Sequence, residues 1–570
     1  MGPKDIPDYL RTYIVQQDPS LYTPMDHASW RYILKIAQVF FARHAHPLYL
    51  NGLRETGIST ERIPLISEMD EKLSRFGWRA VAVSGFIPPA VFMEFLARGI
   101  LPIACDMRKI ENLAYTPAPD IVHEAAGHAP IIADPAYADY LHHYGELAEK
   151  AIYSSQDLAV YEGVKLLSDT KEDPRSTPAM VAEAQRKLDA AIAAVDHDSE
   201  ATQLGRMGWW TIEYGLLGTP DDPKIYGAGL LSSVGESFEC LKPHVRKVPF
   251  SVDCVNQSYD ITKPQPQLFI APDFEALKRG LAAFAATMAY KMGGLAGLEK
   301  ARKAATTTTA VYDSGVQVSG TLAAIREHRG EPAYLSYQGP TQLAFTDKEL
   351  DGQGPRYHGQ GFGSPVGRLK GLKKSPADLT IEELKAMPRL EFESGVIVEG
   401  RLVDHVARGG RNLILVFHDC TVRLGDEVLF RPEWGTYDMT CGSRITTVFG
   451  GAADRAAYLE ATGGFKQDPG KPKTNLTPEN RALNDLYARV RRIREAGPVG
   501  PAQAGELATI HAEVEARYPE DWLLRYELLE LDSRDRLGAP WAPAARAALE
   551  GFVSRAADGG ATIRRGLELL

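Results

Sequence analysis

Two imidazoles and a carboxylate stand within six residues of each other in the run Pro119-Asp120-Ile121-Val122-His123-Glu124-Ala125-Ala126-Gly127-His128. Two neutral histidines on one helix can clamp a metal. With one distant carboxylate they form a two-histidine, one-carboxylate set with open positions, the ligands that favour non-haem iron(II) and oxygen chemistry. The pattern H-E-x-x-x-H is one residue longer than the H-E-x-x-H of zinc proteases. On an α-helix five residues overshoot a full turn by about 140°. The two rings are therefore expected to diverge more than an i, i+4 pair, with Gly127 leaving room for an ion close to the backbone. Asp120 is the expected N-cap of this helix.

Two acids could complete the set. Glu124 points to a different side from His123 and suits a supporting or cofactor-facing role better than ligation. Glu213 lies inside the apolar, aromatic run Trp209-Trp210-Thr211-Ile212-Glu213-Tyr214-Gly215-Leu216. A buried carboxylate there needs a cation partner, and the residues alone leave open whether that is a metal or an arginine. A zinc hydrolase is the rival chemistry for the same helix, and it calls for a third ligand close in sequence.

These groups must be carried by a large frame. The chain has 570 residues, 44% of them hydrophobic and 24% charged, which implies two to four globular domains. A net charge of −10 argues against a nucleic-acid binder, which needs a basic face. Five scattered cysteines suggest reduced thiols and a cytoplasmic setting. The N-terminal residues show no leader pattern, and no apolar run is long enough to suggest a membrane span. Helical periodicity dominates residues 1–305, where the stretch about 153–198 is rich in good helix formers. Residues 306–385, with Thr306 to Thr309 and a Gly- and Pro-rich stretch from Gly352 to Pro376, look like linker. Residues 386–460 alternate short β-prone runs with turns and predict a small β-rich module. Residues 470–570 return to helical patterning.

Three separated motifs, Tyr115 to Pro130, Trp209 to Leu216 and Tyr226-Gly227-Ala228-Gly229-Leu230-Leu231-Ser232-Ser233-Val234-Gly235-Glu236, together resemble the pterin-dependent aromatic amino acid hydroxylases. Gln265-Pro266-Gln267-Leu268-Phe269 extends the likeness, which covers about residues 10 to 300. The resemblance implies a mainly α catalytic domain with the aromatic amino acid hydroxylase fold, here followed by the β-rich module and the C-terminal α-helical region. The helical stretch about 153–198 is then an insertion that must loop out without moving Glu213.

The resemblance also implies a monooxygenase that uses non-haem Fe(II), a tetrahydropterin (tetrahydrobiopterin or a relative) and O2 to hydroxylate an aromatic amino acid. L-phenylalanine is the expected substrate, with tyrosine and tryptophan hydroxylation as alternatives. His123, His128 and Glu213 become the iron ligands. Arg108 matches the arginine for the substrate carboxylate, Thr116 and Ser232 help hold the amino acid, and Asp120 matches an acid near its amine. Trp209 and Pro119 wall the substrate ring. Phe92 matches the ring that stacks on the pterin, Ile87 lines the pterin loop, and Glu124 contacts the pterin. Gly208 stands where relatives often carry a tyrosine, which is expected to open the pocket. The partner is a small molecule, with no nucleic acid and no membrane, and the C-terminal region is the candidate surface for a homo-oligomer.

Overall fold

The structure, a computed structural model, describes residues 6–85, 87–114, 119–172, 176–261, 263–464, 473–555 and 560–570. The long helix Pro24–His44 opens the first half. Its start is fixed by a capping box, in which the Thr23 hydroxyl accepts from the Asp26 N–H and the Asp26 carboxylate accepts from the Thr23 N–H, satisfying two donors that helix geometry leaves orphaned. Helices Pro89–Ala97 and Pro135–Lys150 pack on each other. Strand β1 (Arg79–Val83) pairs in parallel with β2 (Ile100–Ala104). Pro102 is tolerated because this ladder has only two strands, both edges. A second sheet runs β4-β3-β6-β5, from β3 (Leu216–Thr219), β4 (Asp222–Ile225), β5 (Arg246–Pro249) and β6 (Gln267–Ala271).

The inserted stretch forms a hairpin of two helices, Ser155–Glu172 and Pro178–Ala193. A small core of Leu167, Ala184 and Leu188 holds them together. The insertion leaves and re-enters the domain at one place: the Ala201 N–H donates to the Ile152 carbonyl (3.2 Å), and the Ile152 N–H donates to Glu200 Oε2 (3.3 Å). The helix Glu200–Gly208, which leads into Glu213, is therefore undisplaced by the extra chain.

The expected linker over 306–385 is instead strand. β7 (Thr307–Tyr312), β8 (Val316–His328), β9 (Glu331–Phe345), β10 (Lys348–Glu349) and β11 (Gly361–Pro365) lie in this stretch. β11 pairs with β9, and the sheet order β10-β9-β8-β7-β17 is closed by β17 (Ile445–Gly450) pairing antiparallel with β7. Threonine is β-branched and suits a pleated, half-buried surface, so the Thr306–Thr309 run reads as strand once a partner is present. A second sheet holds β12 (Leu390–Glu391), β13 (Val396–Arg408), β14 (Arg411–Leu424), β15 (Glu427–Phe430) and β16 (Tyr437–Thr440). The two sheets share cores: Leu413 and Ile414 of β14 pack with Val318 and Leu335, and Tyr334 of β9 packs with Val398. The β unit thus runs from 307 to 450, and the description as mainly α holds only for the first half and the C-terminal helices.

The C-terminal helices Arg481–Glu495, Pro501–Arg517, Leu523–Asp535, Ala542–Arg555 and Ala561–Leu567 return to the first half. Their apolar residues join its core, Leu486, Val490 and Leu528 lying in one cluster with Trp30 and Ile33. A buried ionic cluster crosses this seam. Arg31 Nη2 contacts Glu527 Oε2 at 2.5 Å, Arg494 Nη2 contacts the same oxygen at 3.3 Å, and Glu530 receives Arg494 and Lys35. Removing one member of such a cluster leaves an uncompensated buried charge. Among the described residues, no helix is long and apolar enough to cross a membrane, and all five cysteines are free and buried.

Candidate metal centre

The helix bearing both histidines is not an α-helix. Val122–His128 is π-helical, and so is Trp209–Glu213. The Ala129 N–H donates to the Glu124 carbonyl, and the Tyr214 N–H donates to the Trp209 carbonyl at 2.9 Å. In this i→i+5 geometry the turn is wider than in an α-helix, so residues five apart lie closer to one face. The divergence expected from α-helical spacing therefore does not occur. His123 Nε2 and His128 Nε2 are 3.1 Å apart, with the rings nearly perpendicular. Glu213 faces both: its Oε2 lies 3.3 Å from His123 Nε2 and its Oε1 3.3 Å from His128 Nε2. Among the described residues these three form the one cluster of ligand atoms suited to an ion.

The donor set fits a metal. Cis ligand atoms about 2.1 Å from a shared ion stand about 3 Å apart, close to the separations seen. The Ser232 hydroxyl donates to the Ala228 carbonyl (2.8 Å), which lets it accept from His123 Nδ1 (3.1 Å) and leaves Nε2 as the atom for an ion. An outer hydrogen bond of this kind orients a ligating imidazole. Burial opposes ionisation of Glu213, but His128 and His123 outweigh it and hold the carboxyl well below the usual carboxylate range. Gly127 permits the assembly: a Cβ there would lie 2.7 Å from the Ala228 carbonyl oxygen, so only glycine lets the helix Ala228–Leu231, which leads to Ser232, press against the histidines.

Beside the cluster, Arg108 is buried in a fork with Asp120. Arg108 Nε and its backbone N–H donate to Asp120 Oδ2 (2.8 and 2.9 Å), and Nη2 donates to Oδ1 (2.7 Å). Asp120 Oδ1 also accepts from the His123 N–H (3.0 Å), so Asp120 does cap the histidine helix. Four bonds fill the acceptor sites of this carboxylate, leaving none for a substrate amine. Burial works against its charge, yet Arg108 holds it below the ordinary aspartate value. Arg108 Nη1 donates to the Ser232 carbonyl (3.0 Å). Of its five N–H groups, one on each terminal nitrogen has no partner among the described residues.

Glu124 is buried, with Oε2 3.8 Å from His128 Nε2 and without a hydrogen-bond partner. Burial pushes its carboxyl up to about 8. The Phe92 ring lies 6.5 Å from His128, centre to centre. An orphaned carboxylate oxygen and an aromatic face near the cluster fit a flat, polar heterocycle. Ile87 packs on the edge of a neighbouring apolar cluster with Tyr9 and Phe95. Pro119 is exposed, and Thr116 lies outside the described residues.

Trp209 carries two partners with no signal in the sequence pattern. Its ring stacks with Tyr214 (4.5 Å) and with Tyr259 (4.2 Å, planes within 6°). Behind Tyr214, whose hydroxyl bonds to it, the Glu236 carboxyl is pushed by burial up to about 7. Gly208 does not open a cavity: a Cβ there would lie 2.4 Å from the Tyr144 hydroxyl oxygen. Tyr144 fills the space and donates to the Leu204 carbonyl (2.8 Å).

The sequence profile described as biopterin-dependent aromatic amino acid hydroxylase matches residues 14–152 and 180–327, half of the chain. The unmatched gap falls within the helical insertion. The phenylalanine-4-hydroxylase of Ralstonia nicotianae is 29% identical over 283 residues, covering 47% of this chain and 76% of that protein. The enzyme of the same name from Pseudomonas aeruginosa is 30% identical over 258 residues, covering 45% and 81%. Among solved structures, Chromobacterium violaceum phenylalanine hydroxylase with bound iron(III) and oxidised cofactor 7,8-dihydrobiopterin is 27% identical, covering 50% of this chain and 92% of that one at a TM-score of 0.39.

Proposed function

We propose, for a chain that belongs to the biopterin-dependent aromatic amino acid hydroxylases and is thus a pterin-dependent aromatic amino acid monooxygenase, that its substrate is L-phenylalanine and its product L-tyrosine. His123, His128 and Glu213 would hold iron(II) from one side, leaving the opposite positions open. The observation that carries this is the convergence of the three side chains at 3.1–3.3 Å. The choice of phenylalanine is supported by relatives named phenylalanine-4-hydroxylase.

Ferrous iron and a reduced pterin, when bound, would activate O2 and supply the electrons that ring hydroxylation needs. The chain's own residues bind, orient and exclude. The two N–H groups of Arg108 that have no partner among the described residues would suit a bidentate grip on the substrate carboxylate. Asp120, filled by Arg108, fixes that grip in place; it is a support for the arginine and no longer a candidate for the amine. Ser232 serves both halves of the site, its hydroxyl meeting His123 Nδ1 and its carbonyl anchoring Arg108. Trp209, stiffened by Tyr214, would wall the ring, with Pro119 and Thr116 as further substrate contacts. Phe92, Ile87 and Glu124 would receive the pterin, with the Glu124 carboxyl as the polar contact.

The test is an assay of the purified full chain with iron(II), tetrahydropterin and O2 against each aromatic amino acid in turn. Tyrosine formed from phenylalanine in strict dependence on pterin is the expected result. Faster turnover of tyrosine or tryptophan would overturn the substrate; metal-dependent hydrolysis without pterin would overturn the chemistry.

A further inference from the structure

We propose that Asn475 is a positioning residue for the amino acid clamp, and that the chain beyond residue 472 braces the Arg108 pocket from outside the region matched by the family profile. The proposal rests on the reading of Arg108 as the substrate-carboxylate ligand. Asn475 Nδ2 donates to the Met107 carbonyl (3.1 Å) and to Asp26 Oδ1 (2.7 Å). It thereby ties the residue just before Arg108 to the capped end of the helix Pro24–His44. The same segment reaches Asp106: the Lys473 N–H donates to Asp106 Oδ1 (3.3 Å), while Asp106 Oδ2 accepts from the Gly85 N–H (3.1 Å).

The segment that follows Ser232 is held by the last helix. Arg565 donates to the Val234 carbonyl and lies over the Phe238 ring at 3.7 Å. Val234 is two residues past Ser232, whose carbonyl receives Arg108 Nη1. Both backbone segments that aim Arg108 are thus fastened by side chains from the C-terminal region.

That region is itself immobilised. Asn480 Nδ2 donates to the Asn475 carbonyl (2.8 Å), and the Met25 N–H donates to Asn484 Oδ1 (3.2 Å). The ionic cluster of Arg31, Glu527 and Arg494 locks the helices to the same element. A guanidinium that must meet a carboxylate at two points tolerates little displacement of its backbone, so loss of the brace should weaken the grip on the amino acid before it weakens anything else.

The experiment compares full-length Asn475→Ala, Arg565→Ala and Arg565→Lys with the parent and with Arg108→Ala, all loaded with iron(II). It reads amino acid affinity by calorimetry, KM for amino acid and for pterin, and the thermal midpoint. Loss of the Asn475 bonds should raise the amino acid KM and Kd about three- to tenfold, with the pterin KM within about twofold. Arg565→Ala should act in the same direction, and Arg565→Lys, which keeps a donor, should restore part of the loss. Unchanged amino acid affinity, or equal rises for amino acid and pterin, would overturn the brace. Should Asn475→Ala not fold, the Arg565 pair is judged by the same criteria. An unaffected Arg108→Ala would instead remove the clamp on which the proposal stands, whereas a weakened Arg108→Ala beside an unaffected Asn475→Ala would remove the brace alone.

Discussion

His123 and His128 stand five residues apart and meet with their Nε2 atoms at 3.1 Å because the turn between them is π-helical. The second π-turn, Trp209–Glu213, delivers the acid in the same way. Each π-turn forgoes regular α-helical hydrogen bonding in order to aim a side chain, a geometry found mostly at functional sites.

Removing the acid isolates its role. Glu213→Ala should lose iron and hydroxylation while keeping its circular dichroism spectrum. Metal analysis showing full iron occupancy in that variant would rule Glu213 out as a ligand.

Ser232 would reach a metal only through His123, so its effect should be graded. Ser232→Ala should weaken iron affinity roughly 10- to 100-fold, the usual scale for an outer hydrogen-bond partner of a ligating imidazole. Chelator competition measures this directly, and parental affinity would show that the tautomer is set by something else.

Asp120 neutralises a buried arginine. Asp120→Ala should destabilise the fold by about 3–5 kcal/mol, since the Arg108 charge is then buried and unpaired. The wild-type carboxyl is held below its ordinary value. Its stabilisation is therefore complete above the unfolded value of about 3.9 and is lost as pH falls through the lower folded value. Denaturant melts of both proteins should differ fully at neutral pH, and the difference should start to narrow only as pH falls below about 3.9.

Glu236 behaves in the opposite sense. Its folded value of about 7 lies above the ordinary glutamate value of 4.5, so the unfolded chain gives up this proton first and stability falls as pH rises between the two. Glu236→Gln should stabilise the protein above pH 7, by roughly 3 kcal/mol at most, and should make little difference below pH 4.5. A variant with the same pH–stability profile as the parent would mean that the carboxyl is not held protonated.

Gly208 is required by a neighbour. Gly208→Ala places its methyl against the Tyr144 hydroxyl and should cost about 1–3 kcal/mol, typical of overpacking. A chemical melt indistinguishable from the parent would show that Tyr144 can move aside.

The chemistry-bearing residues were legible because their types are rare in combination: two histidines around Ala-Ala-Gly, and one acid among tryptophans. Their approach was not, because an i, i+5 pair diverges on the α-helix that periodicity assumes, and nothing in the local sequence announces a π-turn. Asp120 was correctly read as the helix cap, yet its saturation by Arg108 depends on a partner twelve residues away. The β unit was half-read. Gly395 to Gly400 and Asn412 to Phe417 are visibly β-prone, whereas Thr307–Tyr312 reads as strand only once Ile445–Gly450 lies beside it. Tyr259 and Asn475 reach Trp209 and Met107 from far along the chain, and such contacts leave no mark in a local pattern.

The hydrogen bond that joins Ala201 to Ile152 also makes the inserted hairpin a detachable module. A chain shortened within the two helices, with Ile152 to Asp157 and Ser199 to Thr202 retained, would keep the bonds that hold the approach to Glu213, so the hairpin is a natural seat for a fluorescent reporter or for new chain termini.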